Sequence, residues 1–448
     1  MSTLLLNSEL FRDLFGAAAM REVFSDRGLV QRYLDVEAAL ARVQARLGLI
    51  PAAAAAEIGA KARVDNIDFA KMKARTEIVG YPILPLVEQL AAVCRDGLGQ
   101  YSHWGATTQD IMDTADVLQS RDALALVEAD LDAIAERLAA LAAEHRDLPM
   151  AGRTHLQHAL PITFGYKCAV WLSAMDRHRA RLAELRPRVL VGEFAGAAGT
   201  LASLGQDGMA VHESLMAELG LGEPSITWHA ARDGMAEVSG LLAMIAGSLG
   251  KIAYDVMLLM QSEVGEAFEP FVPGRGASST MPQKRNPIAC EFILGIAKAV
   301  RQQHGTMLDA MIADHERATG PWHAEWHALP EAFVLTSGAL AQARLLLEGL
   351  EVDPEAMRRN IESSGGLIVS EAAMMALAPK LGRQRAHDVV YDCCREALKS
   401  RAPFVEVMAA HPEIAPLMTH EELAAVLAPE NYLGSAPAMV DRLLARRK

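Results

Sequence analysis

Apolar residues recur at alternating spacings of three and four along much of the chain. Leu124, Val127, Leu131, Ile134, Leu138 and Leu141 form such a stripe within Ala106 to Leu148, a segment with neither Gly nor Pro. The period predicts one long helix bounded by Gly105 and Pro149. At 1.5 Å rise per residue, ~40 residues span roughly 60 Å, beyond a compact domain's usual helix. An amphipathic helix of one domain accounts for the stripe equally well; the length favours a bundle. Phe164 to Arg186 and Ala230 to Val264 predict two more long helices. The second carries Val238, Leu242, Ile245, Leu249, Ile252, Val256 and Leu259 on one face. These faces are too broadly apolar for one chain to cover, so the pattern predicts a multi-chain helical bundle. Helical periodicity returns from about Leu367, broken at Gly382, Pro403, Pro412 and Pro416.

Composition narrows the class. Aromatic residues are 5% of the 448, which suits helices better than sheets, so an all-α chain is expected and an all-β fold excluded. The length corresponds to about three domains. The net charge of −13, unbroken by a Lys/Arg run, leaves no electrostatic footprint for nucleic acid. A small basic pocket for an anion remains compatible with it. Val238 to Met260 is interrupted by Ser239, Lys251 and Asp255, so no membrane partner is expected. Met1 to Phe11 lacks a signal peptide's basic flank and reads as mature protein. Five scattered cysteines without a CxxC pair argue against disulfides and a thiolate zinc site, and suit the cytoplasm.

Two Gly-rich connections separate the long helices. Val191 to Gly205 contains no GxGxxG after a strand, and close backbone packing is the expected reason for its glycines. Gly265 to Pro287 differs: Ser278, Ser279, Thr280, Lys284, Arg285 and Asn286 concentrate hydroxyls and cations in one loop, the pattern of catalytic groups carried on a rigid scaffold. Ser102 to Asp110 puts Thr107 and Thr108 at a helix start, as an anion site or, with equal weight, a plain N-cap. Gly152 to His158 is read as a short loop before the next helix, where His155 beside Arg153, Thr154 and Gln157 suits acid–base work. His323 and His327 stand at i, i+4 with Glu325 between. Without a further ligand this reads as a packed Trp/His helix, and neither a metal nor another cofactor is expected.

Ser278-Ser279-Thr280-Met281-Pro282-Gln283-Lys284-Arg285-Asn286-Pro287 resembles the signature of the fumarase/aspartase superfamily, Gly-Ser-Ser-x-Met-Pro-x-Lys-x-Asn-Pro, with Ala277 where the family has Gly. Gly105 to Asp110 and Gly152 to Gln157 are similar to the family's two other conserved regions. The resemblance implies a subunit of three helical domains: 1–110; 111–360, a central five-helix bundle with the catalytic loop 265–287; and 361–448. It implies a homotetramer whose active sites each draw on three subunits. It implies that Ser279 removes a proton next to a carboxylate, giving an aci-carboxylate carbanion, before a group leaves the adjacent carbon. His155, oriented by Glu291, would protonate the leaving group or anchor a carboxylate. Lys284 would stabilise the dianion, with Thr107, Thr108, Arg153, Thr154, Gln157, Ser278, Met281, Asn286 and Arg317 around the substrate.

Within the family, Met20 to Gly28, Arg177 to Pro187, His315-Glu316-Arg317 and Trp322 to Trp326 resemble the branch of 3-carboxy-cis,cis-muconate cycloisomerase and adenylosuccinate lyase. The bacterial cycloisomerases carry Trp and Ala where this chain has His155 and Glu291, a pair useful for expelling a basic leaving group. Adenylosuccinate lyase fits poorly, because Thr76 to Pro82 lacks its second catalytic His, and Trp326 and Gly234 replace its arginines. The expectation is therefore a lyase acting on a small anionic di- or tricarboxylate, a substituted succinate, with release of fumarate. A cycloisomerase, an epimerase using the same carbanion and a non-catalytic tetrameric scaffold are the alternatives.

Overall fold

The computed structural model describes residues 5–317 and 319–447, and 69% of the chain is helical. The predicted stripes are buried: all six apolar residues of the first helix are at most 1% exposed, and the seven of the third at most 4%. Five helices exceed 22 residues among the described residues, numbered α1 (Thr108–Glu144), α2 (Phe164–Val189), α3 (Asp233–Leu259), α4 (Ile288–Ala310) and α5 (Pro321–Glu348). Their starts follow local chemistry. The Asp110 carboxylate in the first turn of α1 accepts the Thr107 N–H at 2.8 Å, and α5 begins on Pro321, whose missing N–H costs nothing there. The N–H groups of Ala289 and Cys290 in the first turn of α4 donate to the Glu269 carboxylate at 3.1 and 2.8 Å.

The chain forms two compact units, each drawn from three segments. The first comprises Met1–Leu131, His178–Leu249 and Phe292–Gln342; the second comprises Asp132–Arg177, Gly250–Glu291 and Ala343–Lys448. Each of the five long helices supplies residues to both. In the second unit the C-terminal helices close over their own core of Leu377, Val389, Phe404, Met408 and Leu423.

Gly152 to His158, read from sequence as a loop, is part of an antiparallel hairpin, β1 (Pro149–Thr154) with β2 (Gln157–Thr163), whose register shifts between Ala151 and Arg153. A second small pairing joins β3 (Ala267–Phe268) to β4 (Glu351–Val352). α3 has the length and hydropathy of a membrane span, but half of its apolar window is buried inside the chain, as in a bundle core. Its Asp255 is held by Lys251 and by the Trp171 indole N–H at 2.9 Å. Val170 on α2 and Met244 and Tyr254 on α3 remain about half exposed.

Candidate functional site

In the second unit the predicted residues converge on two exposed structures. His155 and Leu156 are the central residues of the β1–β2 turn, both at positive φ (51° and 62°), the geometry of a type I′ hairpin that Asn-Gly normally supplies. A β-branched or bulky residue in that region stores strain. The turn leaves Thr154, His155 and Gln157 open to solvent. Arg153, expected to bind substrate, is instead a strut of this hairpin. Its guanidinium makes two hydrogen bonds, of 2.7 and 2.9 Å, to the fully buried Glu266 carboxylate. The Asn360 amide donates to the same carboxylate at 2.6 Å and to the Val264 carbonyl at 2.8 Å. Arg153 is thereby neutralised within the unit.

The Ser279 loop is anchored at both ends. Glu266 and the β3–β4 pairing hold its start. Arg285 holds its end, donating to Glu351 at 3.0 and 3.2 Å and to the Glu269 carbonyl at 2.7 Å, with its guanidinium over Phe268 and Phe271. The Asn286 N–H donates to the Gly276 carbonyl at 3.0 Å. Gly276 is required there: φ is 66°, and a Cβ would lie 2.6 Å from the Asn286 carbonyl oxygen. Between these anchors the Ser278 hydroxyl accepts the Met281 N–H at 3.0 Å and the Thr280 N–H at 3.3 Å. Ser279, Met281 and Lys284 stand exposed, Asn286 is half-buried, and Glu291 is exposed in the first turn of α4. Among the described residues, the Ser279 hydroxyl and the side chains of His155, Lys284 and Glu291 have no hydrogen-bond partner.

The first unit carries Thr107, Thr108 and Arg317. Arg317 donates to the Ala197 carbonyl at 3.1 Å and meets no carboxylate among the described residues. Thr107 and Thr108 are half-buried at the start of α1, beside the Gly-rich segment whose glycines are expected to serve close packing. Asp110 joins the two: besides Thr107 it accepts the N–H groups of Ala195 at 2.9 Å and Gly196 at 3.0 Å, and the ring Nε2 of His229 lies 2.8 Å from it. Glu193, from the same Gly-rich segment, is fully buried. Burial pushes its carboxyl up to about 7, against the lowering influence of His229 and the Trp228 N–H. Burial acts to lower the pKa of His229, but its hydrogen bond to Asp110 and the charges of Glu193 and Asp110 leave it raised. The ligand atoms of Asp110, Glu193 and His229 lie within 4.8 Å of one another. Three backbone N–H groups already donate to Asp110, with the His229 ring nitrogen at its fourth acceptor position.

One helical turn along α1, Asp113 pairs with buried Arg232 at 2.7 Å, and Arg232 also pairs with Glu325 of α5. The Trp322 indole donates to Asp113 at 3.0 Å. Tyr81, Trp322, His323 and Trp326 pack ring against ring, with His323 and Trp326 4.4 Å apart. Glu325 is thus committed to Arg232 and His323 to an aromatic stack, in keeping with a packed Trp/His helix. Glu193 and His229 escaped the sequence reading because neither lies on a periodic face or in a polar motif. The only signal was a carboxylate inside a Gly-rich segment.

The mainly helical chain thus carries a Ser-Ser loop closed by Lys and Asn and a hairpin His in one unit, and a Thr-Thr helix start in the other. The chain matches the family model described as Lyase over residues 15–301 and that of the Adenylosuccinate lyase C-terminus over 366–443. It belongs to the fumarase/aspartase superfamily of lyases, in the branch that includes the 3-carboxy-cis,cis-muconate cycloisomerases. It is 51% identical to trans-aconitate decarboxylase 1 of Mycosarcoma maydis, over 97% of this chain and 88% of that one. It is 48% identical to the 3-carboxy-cis,cis-muconate cycloisomerase of Pseudomonas aeruginosa, over 98% and 96%. The crystal structure of fumarate lyase from Mesorhizobium sp. BNC1 superposes with a TM-score of 0.91 at 55% identity, covering 96% of this chain and 98% of that one. Superfamily members act on carboxylate substrates and form homotetramers.

Proposed function

We propose that this enzyme cleaves a small tricarboxylate, a succinate bearing an N- or O-linked carboxylated group, to fumarate and an amine or hydroxyl compound. Ser279 takes the proton α to a carboxylate. Lys284, Asn286 and the Thr107–Thr108 helix start stabilise the resulting aci-carboxylate, which fixed donors and cations do better than water. An unperturbed serine is a poor base, so closure of the loop between its two anchors is needed to expel water and bring donors to the alkoxide. His155, with Glu291, protonates the leaving group.

The observation that carries this reading is His155 on its exposed turn and Glu291 exposed at the start of α4, two unpartnered groups of the types general-acid work on a basic leaving group requires. The choice of three carboxylates rests on the named relatives: trans-aconitate and 3-carboxymuconate are both tricarboxylates. A second reading, cycloisomerisation of a carboxymuconate, is favoured by the 48% identity to an enzyme of that name. The two differ in ultraviolet absorbance. Fumarate appearing from a substituted succinate supports elimination, whereas loss of muconate absorbance without fumarate supports the cycloisomerase. A homotetramer completes the proposal: the half-exposed apolar residues of α2 and α3 suit an intersubunit bundle, and each site would take Thr107–Thr108, His155 and Ser279 from different subunits.

A further inference from the structure

The turn assigned above to a substrate carboxylate does not hold itself. Thr107 and Thr108 precede a helix whose first-turn Asp110 is fully buried and receives four donors: the backbone N–H groups of Thr107, Ala195 and Gly196, and His229 Nε2. Gly196, at φ 76°, sits so close to Gly105 that a Cβ would meet the Gly105 carbonyl oxygen at 3.4 Å. The next residue, Ala197, takes the Arg317 guanidinium on its carbonyl. A continuous path thus runs from the threonine turn through one carboxylate and three residues of the Gly-rich segment to Arg317.

We propose that Asp110 and His229, backed by Glu193, are positioning residues that hold Thr107, Thr108 and Arg317 in register for one carboxylate of the substrate. The proposal rests on the reading that this enzyme binds a polycarboxylate. His229 must carry its proton on Nε2 to serve Asp110. Its carbonyl is fixed by the Gln109 amide at 2.9 Å, while its Nδ1 has no partner. Glu193 is anchored by the Trp228 N–H through one oxygen and by Thr114 through its own backbone. Its other oxygen is buried, has no hydrogen-bond partner and lies 4.0 Å from the same Nε2.

The cluster therefore contains two carboxylates within reach of one imidazole proton. The charged groups facing it are Asp110 and Asp113 from α1, Glu193 from the Gly-rich segment and, through Asp113, Arg232. With Glu193 neutral, His229 serves Asp110 alone. With Glu193 ionised, the two compete for the imidazole proton, a second negative charge enters the dry cluster, and the threonine turn loses its fixed support.

The test is calorimetric titration of the full-length protein with propane-1,2,3-tricarboxylate, an inert probe, between about pH 6.5 and about pH 8.5. The parent protein should bind more weakly as pH rises, by several-fold. Glu193→Gln, which keeps the shape and removes the titration, should keep its affinity across that range. His229→Ala should weaken binding at every pH, and His229→Gln, with an amide N–H for Asp110, should recover part of it. Parallel pH profiles for the parent and Glu193→Gln would overturn the proposal even if His229→Ala fails to fold. Absence of probe binding by the parent protein would overturn the polycarboxylate reading itself, and the proposal with it.

Discussion

In the proposed mechanism Ser279 and His155 carry the chemistry, and each makes a distinct prediction. Ser279→Ala removes the base and should abolish turnover while leaving probe binding by the threonine turn intact, measured by fumarate release and by calorimetry. His155→Ala should slow elimination by about 10²–10⁴-fold when the leaving group is a basic amine or alkoxide, the usual worth of a general acid. It should slow it far less when the leaving group is acidic enough to depart unaided; an equal loss with both would contradict a general-acid role. Glu193 makes a pH prediction. Its carboxyl is raised from the ordinary carboxylate range to about 7, so the folded state holds its proton more tightly than the unfolded chain does. The stability this gives is complete below the ordinary range and is lost as pH rises through about 7. Melting temperature should therefore fall across that interval in the parent and less in Glu193→Gln. At this scale the sequence was legible where chemistry clusters in motifs, as in Ser278 to Asn286. It was opaque at Glu193 and His229, whose partners come from other segments: Thr114 and Trp228 for Glu193, and Asp110, 119 residues away along the chain, for His229.

Among the elements, three long helices, α1, α2 and α3, were readable from their apolar period, and the stripes named on α1 and α3 are buried. The β1–β2 hairpin was not, because its strands are short and its turn is His-Leu, without the Gly or Asn that marks such turns. What stabilises it is tertiary: the Arg153–Glu266 pair, with Asn360 as a third partner. Arg153 lies close in sequence to the residues expected to bind substrate, and nothing local shows that its charge is spent on Glu266. Replacing Arg153 by Ala leaves a buried carboxylate without its cation, and should cost on the order of 3 kcal/mol of folding stability in denaturant titration. Arg153→Ala with Glu266→Gln should recover much of that loss. If Arg153→Ala instead left stability unchanged and only weakened substrate binding, the strut assignment would be wrong.

For the whole molecule, an acidic chain that handles anions must concentrate its attraction locally. In the proposed mechanism Lys284, Arg317 and the start of α1 do so, while Arg153 and Arg232 are neutralised by buried carboxylates. The sequence indicated apolar faces in excess of one chain's needs, and Val170, Met244 and Tyr254 are the half-exposed remainder. It could not show which subunit supplies which catalytic group, because that depends on packing between chains. In the proposed mechanism Ser279 and His155 act together in sites shared between subunits, which hybrid oligomers can probe. Ser279→Ala subunits, inactive alone, and His155→Ala subunits, slowed as above, are co-refolded in equal amounts, and fumarate release is measured from a substrate with a basic leaving group. If each site takes the two residues from different subunits of a tetramer, random mixing restores about a quarter of the parent's sites. Activity no greater than that of the separate variants would contradict the shared site.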